Sequence, residues 1–170
     1  MNIFLIGYRG TGKTTLGKII ARERQMPFID LDDLIIKNVG KAIPQIFATE
    51  GEAKFRDYET QALKQVCEKT GQIISCGGGI VTREENITLL KNNGLVVLLK
   101  ASPETIFSRI YKDTNRPALT DKDPMEEIKH MLEVRRMAYD KAKDFEVWTD
   151  KEKAKRTAER IEEEMKKRFV

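Results

Sequence analysis

Short apolar segments alternate along this chain with longer amphipathic ones. The short segments favour β-strands and lie at 3–6, 28–29, 73–74, 95–99 and 145–147. The longer segments predict helices at about 13–24, 31–39, 52–69, 83–93, 103–112, 125–141 and 151–168. Alternation of this kind is typical of βα units, so the pattern predicts an α/β fold around a parallel sheet.

Length and hydropathy indicate a single domain. With 170 residues, of which 40% are hydrophobic, the chain is long enough for one buried core and too short for two full domains. We therefore predict one domain spanning residues 1–170. No apolar run approaches the roughly 20 residues that a membrane helix needs, and no basic, apolar leader is present. We expect a cytoplasmic protein without a membrane partner.

The charge and the cysteines exclude several classes of protein. The net charge of +4 is mild, and the basic residues are interspersed with acidic ones. This distribution suits the handling of anionic small molecules and gives no indication of nucleic-acid binding. Cys67 and Cys76 are too few and too irregularly placed for a disulfide framework or a zinc site. We interpret them as small buried residues of a protein in a reducing compartment.

The stretch IGYRGTGKTTLG, residues 6–17, directly follows the first predicted strand. Gly7, Gly12, Lys13 and Thr14 satisfy the pattern G-x-x-x-x-G-K-[ST], with a strand before it and a helix after it. In such a loop, backbone N–H groups and a helix N-terminus surround phosphates, the lysine reaches the β and γ phosphates, and the hydroxyl ligates Mg²⁺. The motif therefore predicts a nucleoside triphosphate with magnesium, bound by Gly10, Thr11, Gly12, Lys13, Thr14 and Thr15.

A triphosphate site serves a GTPase switch, a motor ATPase or a small-molecule kinase. The chain has no N-K-x-D segment that would read guanine, and a motor normally needs a larger core with partner subunits. A kinase is favoured, and it needs an acceptor pocket and a means of keeping water from the γ-phosphate. The irregular stretch KDTNRPALTDKDP, residues 112–124, predicts an exposed loop that suits the second need.

Two aspartates mark a candidate acceptor pocket. Asp30 and Asp32 lie two apart in the segment FIDLDD, at the carboxyl end of the second strand, where open α/β sheets bind ligands. Because residues two apart on an extended chain face the same side, one carboxylate could hold hydrated Mg²⁺ while the other meets an acceptor hydroxyl. The alternative for either residue is a helix N-cap. Asp33 is interpreted as a first-turn residue that complements the helix dipole.

Three consecutive glycines, Gly77, Gly78 and Gly79, follow the third predicted strand. Such a run is costly in conformational entropy unless something must approach the backbone closely. We interpret the glycines as lining an oxygen-rich ligand with their N–H groups. A tight turn is the alternative.

Isolated arginines stand in partly apolar settings at positions 56, 116, 135 and 136. The planar guanidinium suits a bidentate grip on a carboxylate, and it suits the charge on a transferring phosphoryl group. Successive helical residues point about 100° apart, so Arg135 and Arg136 cannot face one ligand equally. Each arginine alone could equally be a solvated surface charge.

Six ordered segments, GYRGTGKTT, FIDLD, IFATEGEAKFR, SCGGGIV, NRPAL and EVRRMAY, resemble those of the shikimate kinase family, from about residue 3 to about residue 150. The resemblance implies a P-loop kinase fold, a three-layer α/β sandwich with a five-stranded parallel sheet of order 2-3-1-4-5. It implies an acceptor-binding segment at about 31–60 and a lid at about 111–124. The implied reaction transfers the γ-phosphate of ATP to the 3-hydroxyl of shikimate, on the route to chorismate and the aromatic amino acids.

The resemblance also assigns roles to individual residues. It implies Lys13, Asp32 and Arg116 as catalytic residues, Thr14 and Asp30 at Mg²⁺, and Arg109 and Arg116 beside ATP. The shikimate contacts that it implies are Asp32, Arg56, Gly77, Gly78, Gly79 and Arg136, with the substrate carboxylate clamped between Arg56 and Arg136.

Some features leave alternatives open. Trp148 either packs against the base or is buried beneath the last helix, and we favour burial. The role of Arg9 in the phosphate loop is unassigned. Other hypotheses are a gluconate kinase, a nucleoside monophosphate kinase, for which the segment 33–60 offers little room, and a nucleotide-dependent regulatory protein, against which Lys13, Asp32 and Arg116 argue. We expect a monomer.

Overall fold

A five-stranded parallel sheet organises the molecule in the computed structural model, which describes residues 1–111 and 123–168. The strands are β1 (Asn2–Ile6), β2 (Phe28–Asp30), β3 (Ile73–Ser75), β4 (Gly94–Lys100) and β5 (Phe145–Trp148). They pair in the order β2-β3-β1-β4-β5, and each neighbouring pair is parallel. The predicted sheet and its strand order are therefore confirmed.

Helices cover both faces of the sheet. They are α1 (Lys13–Arg24), α2 (Leu31–Val39), α3 (Ile43–Cys67), α4 (Glu84–Asn93), α5 (Pro103–Ile110), α6 (Pro124–Ala142) and α7 (Ala154–Arg168). Residues of α1 and α7 pack in one hydrophobic core, and residues of α2, α3, α4 and α6 pack in another. The chain thus forms the three-layer sandwich that the family resemblance implies.

The central strand is an apolar run because it is buried on both faces. Ile3 and Leu5 of β1 belong to the core beneath α1 and α7, whereas Phe4 and Ile6 belong to the core on the opposite face. A strand that is buried on both faces needs apolar side chains at every position. Each side chain of this size contributes about 1.5–3 kcal/mol when fully buried, so this strand anchors the loop that follows it.

The third helix begins earlier than the sequence pattern predicts. The expected start was near residue 52, but α3 begins at Ile43 and contains a break at Gly51, where φ is 83° and ψ is 170°. The two turns before the break are too short to give a clear helical period. The break matters for the site, because it directs the side chains of Ile43 and Phe47 towards a cavity that the later part of α3 also lines.

Three strand ends meet at one edge of the sheet. Asp30 pairs with Ser75, and Ser75 pairs with Leu5, so the ends of β2, β3 and β1 lie level with one another. Open α/β sheets bind ligands at this carboxyl edge. The phosphate-loop motif, the paired aspartates and the glycine run are therefore neighbours in space.

Several other expectations can be compared with the described residues. Most of the predicted lid at about 111–124, with Arg116, lies outside them. Cys67 is half-buried and Cys76 is buried, and both are free thiols. Burial raises the pKa of the Cys76 thiol, which fits an inert core residue. Within the part of the chain that the structure describes, no helix is long and apolar enough to span a membrane.

Candidate active site

The phosphate loop is a tight backbone curve between β1 and α1. Gly7, Gly10 and Gly12 have φ values of 138°, 79° and 93°, which side-chain-bearing residues rarely adopt. A Cβ at Gly7 would also collide with the backbone oxygen of Leu99. Gly12 is the N-cap of α1, so the positive end of this helix points into the curve of the loop.

Lys13 is held across this loop. Its Nζ donates to the backbone oxygen of Gly7 at 2.7 Å and to that of Tyr8 at 2.9 Å, and the residue is buried. Lys13 lines a cavity, called here the phosphate cavity, together with Arg9, Gly10, Gly12, Thr14, Thr15, Asp30, Asp32, Ser75, Cys76 and Ile110. This set contains every predicted nucleotide contact of the loop except Thr11.

Thr11 has a different environment from its neighbours. It is buried, and its hydroxyl donates to the backbone oxygen of Tyr8 at 2.7 Å. The side chain thus closes the curve of the loop from behind and does not line the phosphate cavity. The predicted nucleotide contact of Thr11 stays a prediction.

The two predicted metal-site residues are in contact. The Thr14 hydroxyl donates to Asp30 Oδ2 at 3.0 Å, while Asp30 Oδ1 accepts the backbone N–H of Asp32, also at 3.0 Å. Asp30 therefore caps α2 and faces the phosphate cavity at the same time. Mg²⁺ usually takes one or two protein ligands with phosphates and waters, which fits this hydroxyl and carboxylate.

Asp32 reaches the site by a route other than the expected one. It lies in the first turn of α2 beside Asp33, so it does not share an extended strand with Asp30. Of the two aspartates, Asp30 is the N-cap of this helix. The Asp32 side chain nevertheless faces the phosphate cavity and also a second one. Asp32 is 8% exposed, so a ligand in either cavity would shield it further from water.

The second cavity, called here the acceptor cavity, has a volume of about 50 Å³ and opens to solvent at its mouth. One part of its wall is apolar and comes from α3. The rest is charged or backbone. The lining consists of Tyr8, Arg9, Asp32, Ile43, Phe47, Phe55, Arg56, Glu59, Gly77, Gly78, Gly79 and Arg135.

Arg56 is fixed by two carboxylates of its own helix. Its Nη1 donates to Glu59 Oε2 at 2.5 Å, and its Nη2 donates to Glu52 Oε1 at 2.8 Å. Burial lowers the pKa of Arg56, but the charges and hydrogen bonds of Glu59 and Glu52 outweigh burial and leave this pKa raised. Arg56 therefore stays a cation in a defined orientation at the wall of the acceptor cavity.

Glu59 is a site residue that the sequence reasoning missed. It is 1% exposed, and its Oε1 has no hydrogen-bond partner among the described residues. Burial raises its pKa, against the pull of Arg56. The signal was present, because residues three apart on a helix share a face, and Glu59 stands three positions after Arg56.

The glycine run makes room for charged side chains. A Cβ at Gly77 would lie 2.5 Å from Glu59 Oε1, and a Cβ at Gly79 would lie 2.5 Å from Arg56 Cζ. None of the three glycines has φ in the left-handed region, so their backbone conformation does not require glycine. Close approach to the backbone does explain the run, and at Gly77 and Gly79 side chains of α3 already make that approach.

The structure corrects the predicted choice between two adjacent arginines. Arg135 is 5% exposed and lines the acceptor cavity, and its Nε has no hydrogen-bond partner among the described residues. Arg136 does not line that cavity; its side chain is 66% exposed and pairs with Glu133 at 3.2 Å. The helix period separates the two directions, and Arg135 occupies the buried face with Ile128 and Tyr139.

Arg109 and Trp148 lie near the carboxyl end of β5. Arg109 donates to the backbone oxygens of Gly10 at 3.0 Å and Thr149 at 3.2 Å, and it lines a groove beside Gly12 and Thr15. Trp148 is 37% exposed beneath the ammonium of Lys100 and does not line that groove. The expected burial of Trp148 under the last helix is therefore wrong.

Comparisons with known proteins agree on one family. The family model described as shikimate kinase matches residues 9–166. The chain is 42% identical over 160 residues to the shikimate kinase of Thermodesulfovibrio yellowstonii, covering 94% of this chain and 92% of that protein. It superposes on a shikimate kinase from Acinetobacter baumannii, solved in complex with shikimate, with a TM-score of 0.95 and 32% identity, covering 99% and 94% of the two chains. A gluconokinase from Sinorhizobium meliloti, 18% identical with a TM-score of 0.60 over 99% and 97%, shares the fold alone.

Proposed function

The chain belongs to the shikimate kinase family, and from that membership we propose which of its residues carry the reaction. It transfers the γ-phosphate of ATP to the 3-hydroxyl of shikimate in the pathway to the aromatic amino acids, with Mg²⁺ as cofactor. The observation that carries the residue assignments is the meeting of two cavities at Asp32. One cavity is built for phosphates, and the other has two buried arginines in its wall.

The carboxylate of shikimate is held by Arg56 and Arg135. Both guanidinium groups are buried at the wall of the acceptor cavity. Two carboxylates of α3 fix the direction of Arg56, whereas the Nε of Arg135 has no acceptor among the described residues. A ligand carboxylate satisfies that donor with a charge-assisted hydrogen bond. Gly78 lies on the same wall, and its missing Cβ keeps that wall flat for the substrate ring.

The acceptor hydroxyl meets Asp32 at the gap between the cavities. The bond from the γ-phosphorus to the β-phosphate oxygen breaks as a bond to the substrate 3-oxygen forms, and the hydroxyl proton passes to the Asp32 carboxylate. Lys13 and the N-terminus of α1 stabilise charge on the phosphate oxygens. The Thr14 hydroxyl and the Asp30 carboxylate hold Mg²⁺, which neutralises phosphate charge when it is bound. Arg109 borders the nucleotide base.

We also propose how the single domain is organised around the two cavities. The segment at about 31–60 forms the acceptor-binding part of one domain, because it supplies Asp32, Ile43, Phe47, Phe55, Arg56 and Glu59 to the acceptor cavity. We expect the protein to act as a monomer. The protein works in the cytoplasm, in keeping with its free thiols.

The function is tested by ADP release from the purified chain with Mg·ATP. We expect strong stimulation by shikimate and none by gluconate or nucleoside monophosphates, because the acceptor cavity offers a carboxylate clamp beside an apolar wall. Phosphate transfer to shikimate, followed by mass spectrometry, would identify the product. Stimulation by gluconate instead, with shikimate inert, would reassign the acceptor and leave the phosphate cavity unaffected.

Substitution of Gly79 tests the close packing of the clamp. In Gly79→Ala the new Cβ would strike the guanidinium of Arg56, which Glu52 and Glu59 hold in place, so we expect a loss of about 1–3 kcal/mol in the free energy of unfolding. Gly78→Ala is the matched control, since its Cβ would lie at least 3.4 Å from Arg135 Nη1 and from the phosphate loop. Thermal unfolding of both variants decides, and equal stability would contradict the packing argument.

A further inference from the structure

Arg9 stands between the two ligands of the proposed reaction. Among the described residues, only Arg9 and Asp32 line both the acceptor cavity and the phosphate cavity. The phosphoryl group has to cross from one cavity to the other, so Arg9 lies on its route between the two ligands. Asp32 has its place in the transfer step, whereas the sequence left Arg9 without a role.

The Arg9 side chain is held by Glu127. Its Nη2 donates to Glu127 Oε1 at 2.6 Å, and the two side chains are 19% and 3% exposed. A short, charge-assisted bond between shielded groups is weakened little by salt. The pair joins residues 118 positions apart. It thereby ties the phosphate loop to the first turn of α6.

The same helix carries two contacts of the acceptor cavity. Arg135 lines that cavity, and the Tyr139 hydroxyl donates to the backbone oxygen of Gly78 at 2.6 Å. The guanidinium carbons of Arg9 and Arg135 lie 5.8 Å and 5.9 Å from the centroid of the Tyr8 ring. A helix transmits displacement as a rigid element, so a shift at its first turn reaches Arg135.

We propose that Arg9 and Glu127 are positioning residues, whose ion pair braces the phosphate loop against α6 and so sets the place of Arg135 for the shikimate carboxylate. Glu127 lines neither cavity, so it acts on the substrate indirectly, through Arg9 and through its own helix. The brace also couples the two sites, because a nucleotide that orders the phosphate loop orders Arg9 and, through Glu127, the helix of the clamp. This inference rests on the proposed function.

The test is calorimetric titration of shikimate in the absence and presence of saturating Mg·ADP. In Glu127→Gln we expect the Kd of shikimate in the presence of Mg·ADP to rise at least about fivefold. The ratio of the shikimate Kd without Mg·ADP to that with Mg·ADP should fall towards one. The Kd of Mg·ADP alone stays close to that of the wild-type protein, because the loop backbone and Lys13 remain. The double variant Arg9→Met/Glu127→Met removes both charges at similar volume. We expect it to lose the effect of Mg·ADP on shikimate binding while its melting temperature stays near that of the wild-type protein.

The matched control is Arg24→Met. Arg24 donates two hydrogen bonds of 2.6 Å to Glu162, and this pair joins α1 to α7 away from both cavities. We expect this variant to bind shikimate like the wild-type protein. The proposal would be overturned if Mg·ADP strengthened shikimate binding in Glu127→Gln or in the double variant as much as in the wild-type protein. It would also be overturned if Arg24→Met lost this effect of Mg·ADP to the same extent. Failure of the wild-type protein itself to bind shikimate would overturn the proposed function, and the brace with it.

Discussion

Replacing Asp32 by asparagine is expected to lower kcat by about a hundredfold or more, the usual effect of a removed general base. The asparagine keeps the shape of the side chain but cannot take the proton of the acceptor hydroxyl. Asp32 is 8% exposed and lines both cavities, so bulk water is poorly placed to replace it. The affinity for Mg·ATP should change little, since Lys13, Thr14 and Asp30 remain. Steady-state kinetics and calorimetry measure the two quantities.

Asp33→Asn is the matched control for this prediction. Asp33 is the next residue of the same first turn, it is exposed, and it lines neither cavity. Both substitutions remove one negative charge from the N-terminal turn of α2, and neither removes its N-cap, which is Asp30. A common loss of helix stability would therefore appear in both variants. Turnover near the wild-type value in Asp32→Asn would show that Asp32 is not the base.

Local motifs determined how much of the site could be predicted. The residues of the phosphate loop are contiguous in the sequence. Its glycines are required by the tight backbone curve, and its lysine and threonine stand at the start of the helix that follows, so a short motif identifies them all. Thr14 and Asp30 were predicted to share a metal, and their side chains are in contact. Strands β1 and β4 were predictable because burial on both faces makes each one a largely apolar run.

Features that depend on distant packing were less predictable. The glycine run was interpreted through a ligand, but two of its positions are already filled by Glu59 and Arg56 from α3. No pattern in the sequence predicts that α3 packs against the glycine run. Likewise, no motif in the sequence marks Arg9 and Glu127 as partners. They meet only because α6 packs against the phosphate loop.

The choice between Arg135 and Arg136 could have been made from the pattern of α6. Ile128, Arg135, Tyr139 and Ala142 are buried and follow one another at spacings of seven, four and three, which mark one helix face. Arg135 belongs to this face, and Arg136 is rotated about 100° away from it. The sequence resemblance identified the segment EVRRMAY and assigned the carboxylate contact to Arg136. The helix period instead places Arg135 on the buried face.

Arg135→Ala is expected to raise the KM for shikimate about thirtyfold or more, corresponding to the loss of at least about 2 kcal/mol when a buried charge pair is truncated. Arg135→Lys retains the charge without the planar fork and should recover only part of this loss. Arg136→Ala should leave the KM near the wild-type value, because a solvated pair such as Arg136 with Glu133 is worth about 0–1 kcal/mol. In all three variants the KM for ATP should change little.

Arg135 is buried beside Tyr8 and on the same helix face as Tyr139, so its truncation also removes packing. Arg135→Met separates the two effects, since it keeps most of the side-chain volume and removes the donors. If the clamp is electrostatic, Arg135→Met binds shikimate as weakly as Arg135→Ala while unfolding near the wild-type temperature. Should Arg136→Ala raise the KM instead, with Arg135→Met unaffected, the substrate carboxylate would have to lie outside the acceptor cavity, on the exposed face of α6.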